Sequence, residues 1–366
     1  MKRALFLTGL ILLLVLLGTI TLSTAKKKLK SDLDKPLVLT EQKPTPTKTK
    51  GRPLEKRSAA SLFIPYWTLG GELDASGYDE LIYFGITPTT SGIDTSDEGY
   101  QKLGTFVKNA PEEKKKSLTL RMLDSEENFD IIESSKTRKK VITDSIILAK
   151  QYAFDGIVLD LEVAAIPFES VIQNINTFVK EFNSAAKKEK MEFTVTIYGD
   201  AAYRIRPFDL KVIGENSDRV MIMAYDFSKS RSNPGPNFPL KGSEKYGYDY
   251  EKLVEDFTLS INPEKISVIF GFFGYDWEVD EKDKSLSQGE SKSLSQIKKE
   301  VVDNCIFVKC EWKRDRDSME IMARYEDKDG KNHIIWFEDE TSANAKEEFL
   351  RQNGIANISH WAYTYF

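Results

Sequence analysis

Two carboxylates, two residues apart at the end of an apolar run, are the side chains of this chain best suited to chemistry. The run reads Phe154-Asp155-Gly156-Ile157-Val158-Leu159-Asp160-Leu161-Glu162. Because side chains alternate along a strand, Asp160 and Glu162 would share the face that also carries Val158. Their proximity should raise the pKa of at least one of them and leave a carboxylic acid protonated near neutral pH. The pattern therefore predicts a proton donor, although an edge strand turning into solvent or a salt-bridged structural pair would show the same spacing.

The elements that must position these carboxylates alternate between short strands and amphipathic helices. The candidate strands are Ser61–Tyr66, Leu81–Ile86, Ser117–Met122, Gly156–Leu161, Glu192–Ile197, Arg219–Ala224, Lys265–Phe270 and Ile358–Tyr363, and helical segments such as Lys139–Tyr152, Phe168–Lys190 and Tyr250–Ile261 lie between them. Several strands are apolar almost throughout, which is typical of parallel strands covered on both faces. Eight such strands predict an α/β fold, a (β/α)8 TIM barrel with its active site at the carboxyl ends of the strands.

The chain is longer than a barrel requires. Residues 60–366 number 307, whereas a barrel needs roughly 250. The surplus falls between strands seven and eight, and we expect a small α+β insertion at about 278–340. Within it, Met319–Phe337 has the pattern of a β-hairpin, with Asp327, Asp329 and Gly330 in the turn. Cys305 and Cys310 could pair there, but their spacing alone does not decide it.

Composition and charge exclude several classes of protein. The 366 residues are 40% hydrophobic and 30% charged, as in an ordinary globular protein. The net charge of -5 divides into +9 for residues 1–58 (13 Lys/Arg against 4 Asp/Glu) and therefore -14 for residues 59–366. An acidic main domain argues against nucleic-acid binding. With two histidines and two cysteines, we expect no zinc site, no disulfide framework and no cofactor.

The first 58 residues have the composition of a targeting or membrane-anchoring segment followed by a linker. Residues 4–25 are apolar and would span roughly 33 Å as a helix, enough for a bilayer. Ser23 and Ala25 fit the cleavage site of a signal peptide, whereas the lysines that follow would hinder translocation, so residues 1–25 are either a signal peptide or a membrane anchor. Residues 26–58 form a basic linker rich in Pro, Lys and Thr. We expect an extracytoplasmic protein, membrane-anchored or secreted and cell-wall associated, with residues 59–366 acting as a monomer.

Asp155, Asp160 and Glu162 match three of the four acidic positions of a D-x-x-D-x-D-x-E strand. In this motif the chain resembles the family 18 glycoside hydrolases, the chitinase-like enzymes. Four further matches follow in order: Met223-Ala224-Tyr225-Asp226 with M-x-Y-D, Ser232-Asn233-Pro234-Gly235-Pro236 with a loop of spore-cortex and wall-lytic members, Gly271–Trp277 with the turn after strand seven, and Trp361 with the tryptophan of the pocket floor. The chain departs from the family at Val158, usually Asp or Asn, and in the third strand, which lacks S-x-G-G.

The resemblance implies a retaining hydrolase that cleaves β-linked N-acetylglucosamine polymers (peptidoglycan, spore-cortex or chitin-like glycan) by substrate-assisted catalysis. Glu162 would protonate the glycosidic oxygen, Asp160 would orient the 2-acetamido group of the substrate, and Tyr225 would hydrogen-bond its carbonyl. We expect Asp226, Trp361, Tyr66 and Tyr198 to bind substrate, since aromatic faces stack on sugars.

Two other functions remain open. The first is a glycan-binding barrel without turnover, which the valine at position 158 suggests. The second is an extracytoplasmic scaffold that holds a divalent cation on Asp160 and Glu162.

Overall fold

The structure is a computed structural model that describes residues 60–163 and 165–366. The predicted signal peptide or anchor (1–25) and the basic linker (26–58) lie outside the described residues. In the part that is described, no helix is both long and apolar enough to cross a membrane.

Eight parallel strands close into a barrel. In chain order they are Ala60–Pro65, Glu80–Ile86, Lys115–Met122, Gly156–Leu161, Glu192–Tyr198, Arg219–Met223, Ile266–Gly271 and Asn357–Trp361, called here the first to eighth barrel strands. Each strand pairs with the next, and the eighth pairs with the first. The predicted TIM barrel is confirmed, and every predicted strand end lies within two residues of the observed one.

Helices cover the outside of the barrel. The longer ones are Glu98–Asn109, Ser125–Glu133, Ser135–Gln151, Glu169–Lys188, Tyr250–Thr258 and Glu340–Gln352, with shorter helices at Leu210–Glu215, Ser243–Tyr246 and Leu294–Ile297, and irregular turns of helix at Tyr66–Thr68, Pro263–Lys265 and Lys298–Val302. The helix Glu169–Lys188 shows how they attach: its buried side follows the helical period, and Phe182 stacks on Phe193 of the fifth strand, with ring centroids 4.9 Å apart.

The inside of the barrel is filled, so a ligand can enter only at its mouth. An apolar cluster occupies the interior: Phe63, Ile82, Phe84, Val158, Met221, Met223, Ile269 and Ala362. Beneath it, Arg219 pairs with the buried Glu80 at 2.6 Å, and Ser61 and Ser117 donate to the same carboxylate. This arrangement closes the amino ends of the strands and leaves the carboxyl ends free to build a site.

A five-stranded antiparallel sheet is inserted between the seventh and eighth barrel strands, and we call it the inserted sheet. Its strands lie in the order Glu290–Ser293, Phe273–Val279, Asn332–Phe337, Ile321–Glu326 and Lys309–Arg314. The predicted hairpin is present, and Cys305 and Cys310 form a disulfide. Two details differ from expectation. The sheet begins at Phe273 rather than at 278, and the segment Gly271–Trp277, expected to form the turn after strand seven, is mostly strand. The segment continues as a strand because both of its edges are paired, one with Glu290–Ser293 and the other with Asn332–Phe337.

A fully buried ion cluster fixes the inserted sheet to the barrel. Lys346, on the helix Glu340–Gln352, contacts Glu320 at 2.8 Å and Glu338 at 2.5 Å. Glu320 also accepts hydrogen bonds from the backbone N–H groups of Asn237 and Phe238, in the loop after the sixth barrel strand. We call Lys346, Glu320 and Glu338 the anchor cluster.

Candidate active site

The two carboxylates singled out from the sequence lie at the mouth of the barrel, in a cavity of about 300 Å³. We call it the larger cavity. Asp160 is the last but one residue of the fourth barrel strand, and Glu162 follows the end of that strand directly. The remaining lining is mainly aromatic and apolar: Phe63, Trp67, Phe84, Leu123, Thr196, Met223, Tyr225, Asp226, Ile269, Phe273, Tyr275, Ser291, Trp361 and Tyr365. Such a mixture of apolar walls and a few polar groups is typical of a small-molecule or sugar site.

Glu162 is held from its backbone and from its side chain. Its N–H donates to the carbonyl of Met122 at 2.9 Å, and its own carbonyl accepts from the Asn128 amide at 2.8 Å. The Tyr198 hydroxyl donates to Oε2 of the Glu162 carboxyl at 2.9 Å. These contacts leave Oε1 as the oxygen that can face a ligand.

Asp160 is almost completely buried and lies beside a second acid. Its Oδ1 accepts a hydrogen bond from Thr196 on the fifth strand. Burial, followed by the charge of Glu162, raises the pKa of Asp160 to about 7, while Thr196 and the Arg121 guanidinium oppose the rise. Asp160 therefore keeps a proton until the pH approaches 7, so the pair of carboxyls holds one proton just below neutral pH.

Tyr225 and Asp226 follow the sixth strand and face the same cavity. Burial and the nearby carboxylates raise the pKa of Tyr225 well above its usual value, so its hydroxyl stays protonated and able to donate. Asp226 adopts a left-handed conformation (φ 57°), and its N–H donates to Asn237 at 2.8 Å. Its carboxylate accepts from the hydroxyl of Tyr275 at 2.9 Å, so the inserted sheet supplies a residue of the site.

Aromatic rings form one wall of the larger cavity. Trp361, at the end of the eighth strand, packs against Phe84 (ring centroids 4.8 Å apart) and Tyr225 (6.5 Å). Trp67 lies 6.3 Å from Trp361 and is 44% exposed. Tyr66, predicted to bind substrate, instead packs against Trp67 and under the Arg121 guanidinium, which lies 4.9 Å from its ring centre. Trp67 lines the cavity where Tyr66 was expected.

A second cavity of about 120 Å³, the smaller cavity, adjoins the other side of Glu162. Glu162, Met223, Tyr225 and Asp226 line both cavities, and Tyr198, Gly199, Asp200 and Lys229 complete the smaller one. Tyr198, predicted to bind substrate, therefore contacts Glu162 and belongs to this second cavity. Six of the seven predicted site residues, Glu162 included, line these two cavities.

Val158 lies one inward step below Asp160 and is completely buried in the apolar interior. Its neighbour in register on the third strand is Thr119. The Thr119 hydroxyl is buried and makes no hydrogen bond with any described residue. A polar side chain at position 158 would therefore find a partner next to it.

Other residues of the motifs have structural roles or were not anticipated. Asp155 accepts from the backbone N–H of Lys116 at 2.8 Å, at the far end of the strand from the cavity. Trp277 is fully buried, with its indole N–H bonded to the carbonyl of Ser230. Sequence reasoning missed Thr196, although its position two residues before Tyr198 places both on the same face of the fifth strand. In residues 60–163 and 165–366, no group of three or more His, Cys, Asp or Glu side chains could hold a metal ion.

Comparison with known proteins gives one family and several relatives. The model of the family "Glycosyl hydrolases family 18" matches residues 61–365. The chain is 25% identical over 326 residues to the "Uncharacterized glycosylase YvbX" of Bacillus subtilis (strain 168), a match that covers 83% of this chain and 88% of that protein. Four further bacterial relatives match over 51–53% of their own length.

Solved structures show the same fold. The spore cortex-lytic enzyme SleL of Bacillus cereus superposes with a TM-score of 0.70 at 17% identity, covering 84% of this chain and 71% of that one. The class V chitinase of Nicotiana tobaccum gives a TM-score of 0.72 at 15% identity, covering 83% of this chain and 94% of that one.

Proposed function

The chain belongs to family 18 of the glycosyl hydrolases, and from that premise we propose that it is a retaining hydrolase of β-linked N-acetylglucosamine polymers that works by substrate-assisted catalysis. One observation carries the proposal: Asp160 and Glu162 project from one strand into one cavity, with Tyr225 beside them. Their positions in the chain are about 6.6 Å apart along the strand. They therefore do not face each other across a sugar ring, as the two carboxylates of other glycosidases do.

In the first step, the substrate supplies its own nucleophile. The carbonyl oxygen of the 2-acetamido group attacks the anomeric carbon, and the bond to the leaving oxygen breaks as Glu162 transfers its proton to that oxygen. The product is an oxazolinium ion covalently closed within the sugar. Asp160, ionised, accepts a hydrogen bond from the acetamido N–H and stabilises the positive charge, while Tyr225 donates to the acetamido carbonyl.

In the second step, water attacks the anomeric carbon and reopens the oxazolinium ring. The Glu162 carboxylate takes a proton from this water and returns to its starting state. Two inversions at the anomeric carbon give net retention. Trp361 supports the proposal as the floor of the larger cavity, since its ring can stack on the apolar face of the reacting sugar.

The likeness to a spore cortex-lytic enzyme supports peptidoglycan or spore-cortex glycan as the substrate, ahead of chitin. We further propose that the enzyme works outside the cytoplasm, held to the membrane or released near the cell wall by residues 1–58, and that it acts as a monomer. The apolar stretch 4–25 and the basic linker after it are the basis for this placement.

The function is tested with a chromogenic N-acetylglucosamine oligomer, with and without a chelator. Turnover that the chelator does not change supports the hydrolase. Binding of the oligomer without turnover would replace it with the second candidate, a glycan-binding barrel, which is favoured by the valine that stands where the family has Asp or Asn. Turnover lost on chelation would indicate a divalent cation on Asp160 and Glu162.

We expect the pH dependence of kcat/KM to have an alkaline limb near pH 7. In the proposed reaction the pair enters with one proton, which Glu162 delivers to the leaving oxygen while Asp160 is ionised. Since the pKa of Asp160 beside an ionised Glu162 is about 7, the pair loses its last proton above this pH, and the acid catalyst disappears. The rate should fall about tenfold per pH unit beyond the limb. A profile that stays flat to pH 9, with the fold intact by circular dichroism, would contradict this assignment.

We expect Val158→Asn to change the pH–rate profile or the turnover severalfold. A new amide beside Asp160 can hydrogen-bond its carboxylate and the Thr119 hydroxyl, and so alters the ionisation of the pair. The free energy of unfolding should fall by about 1–3 kcal/mol, because the interior is otherwise apolar. Met221→Leu, in the same apolar cluster, is the matched control that adds no polar group. A profile unchanged in Val158→Asn would show that position 158 only packs.

A further inference from the structure

The smaller cavity contains a cation that the proposed reaction does not use. Lys229, three residues after Asp226, lines this cavity with Glu162 and Tyr198. Its side chain is exposed and forms no salt bridge with any residue the structure describes, and its ammonium lies 5.7 Å from the centre of the Tyr198 ring. Lys229 is therefore free to bind a ligand that reaches Glu162.

Two arginines increase the positive charge on this side of Glu162. Asp200 accepts from both: Arg204 at 2.9 Å and Arg206 at 2.7 Å. The Arg206 guanidinium also stacks on the Tyr198 ring, 3.9 Å from its centre. Glu162 and Asp226 line the same cavity as Asp200, so these three cations face three carboxyl groups. Of the three cations, Lys229 is the one that forms no salt bridge with a described residue.

The proposed reaction fixes which part of a glycan meets these cations. The sugar that reacts lies in the larger cavity, where Asp160 and Trp361 are. Glu162 lines both cavities and protonates the oxygen between the two sugars. The smaller cavity therefore faces the sugar that leaves. This step rests on the proposed function.

We propose that Lys229, supported by the charge of Arg206, binds a carboxylate on the leaving sugar or its substituent, so that the enzyme selects an acidic amino-sugar glycan over a neutral one. An ammonium is a compact charge with three donors and suits a carboxylate oxygen well. The 3-O-lactyl ether of N-acetylmuramic acid carries such a group, and so does a peptide attached to it. Chitin carries none.

The structure also offers a simpler role for Lys229, namely neutralising Asp226. Burial raises the pKa of Asp226, and the Tyr275 hydroxyl and then the Lys229 ammonium oppose that rise. In that role its loss would affect every substrate to the same degree. A carboxylate-binding role is distinguished by its dependence on the charge of the substrate.

The test compares glycans that differ only in that charge. The first substrate is peptide-free glycan of alternating N-acetylglucosamine and N-acetylmuramic acid, and the second is the same glycan with its lactyl carboxylates amidated. A peptide-bearing glycan whose stem carboxylates are amidated then separates the charge of the lactyl group from the charge of the peptide. At low salt, the kcat/KM of wild type should be about tenfold higher on the charged peptide-free glycan than on its amidated form. A factor of this size corresponds to the free energy of one hydrogen bond to a charged group. Lys229→Gln should reduce this preference to below about twofold, and Lys229→Arg should retain most of it.

Lys187→Gln, an exposed lysine on the helix Glu169–Lys188 away from both cavities, is the matched control and should keep the wild-type preference. Equal losses on charged and amidated glycan in Lys229→Gln would overturn the proposal, as would a wild type that prefers neither. Binding of both glycans to Glu162→Gln protein, measured by calorimetry, gives the same comparison without turnover. A protein that hydrolyses none of them but binds the charged one more tightly would refute the proposed hydrolysis and uphold this inference.

Discussion

Replacing Glu162 by glutamine should lower turnover on unactivated glycans by at least about 100-fold, the scale of a lost general acid. The amide has nearly the same shape, and its carbonyl oxygen can still accept from the Tyr198 hydroxyl, which bonds Glu162 at 2.9 Å. The fold and the affinity for glycan should therefore persist. What the variant lacks is a proton to transfer to the leaving oxygen. Steady-state rates and glycan binding, measured on the same preparation, separate these effects.

The choice of substrate sharpens this test. A good leaving group needs little protonation, so Glu162→Gln should lose less activity on aryl glycosides with an acidic phenol than on natural oligomers. Glu113→Gln, an exposed glutamate outside both cavities, should behave like wild type on both. Hydrolysis of unactivated oligomers at a near-normal rate by Glu162→Gln would remove this residue from the mechanism.

Removing the 2-acetamido group from the substrate should have an even larger effect. A glucoside that matches the best N-acetylglucosaminide in linkage and leaving group should be cleaved at least about 1,000-fold more slowly, because an intramolecular nucleophile held in place is lost. No protein group replaces it: Asp160 is bonded to Thr196, and Asp226 accepts from Tyr275. The measurement is kcat/KM for the two substrates under identical conditions.

An inhibitor that resembles the product of this cyclisation step provides a second test of it. A thiazoline that mimics the cyclised oxazolinium ion should bind more tightly than the parent sugar, because it resembles an intermediate that Asp160 and Tyr225 stabilise. A control thiazoline without the ring methyl group, which fills less of the acetamido site, should bind more weakly. Efficient hydrolysis of the plain glucoside would instead point to a mechanism with two protein carboxylates.

The sequence was sufficient for the barrel and for the central pair of acids, since both follow from the alternation of side chains along strands. Asp160 and Glu162 had to share a face, and their cavity follows from the geometry of parallel strands. Tyr66, expected at the site because it is an aromatic residue near a strand end, does not line the cavity, because the first strand already ends at Pro65. A single turn of 3-10 helix begins at Tyr66, and this turn directs Trp67 toward the cavity.

Residues that reach the site from loops could not be located in advance. Lys229 lies in the segment after the sixth strand, whose path depends on Asn237 and on the anchor cluster more than on its own sequence. Tyr275 reached the site because the segment expected to turn continues as a strand of the inserted sheet. Long-range contacts of this kind have no periodic signal.

The anchor cluster makes the catalytic machinery dependent on a part of the chain that takes no direct part in catalysis. Deleting the inserted sheet would remove Glu320, one of the two carboxylates that pair with the Lys346 ammonium, and would leave the N–H groups of Asn237 and Phe238 without an acceptor. Breaking a buried ion pair by removing one side costs about 3–5 kcal/mol, a large fraction of the 5–15 kcal/mol that stabilises a whole domain. Barrel and sheet are therefore expected to melt in a single cooperative transition, and a minimal barrel engineered by excising the sheet would lose its fold as well as Tyr275.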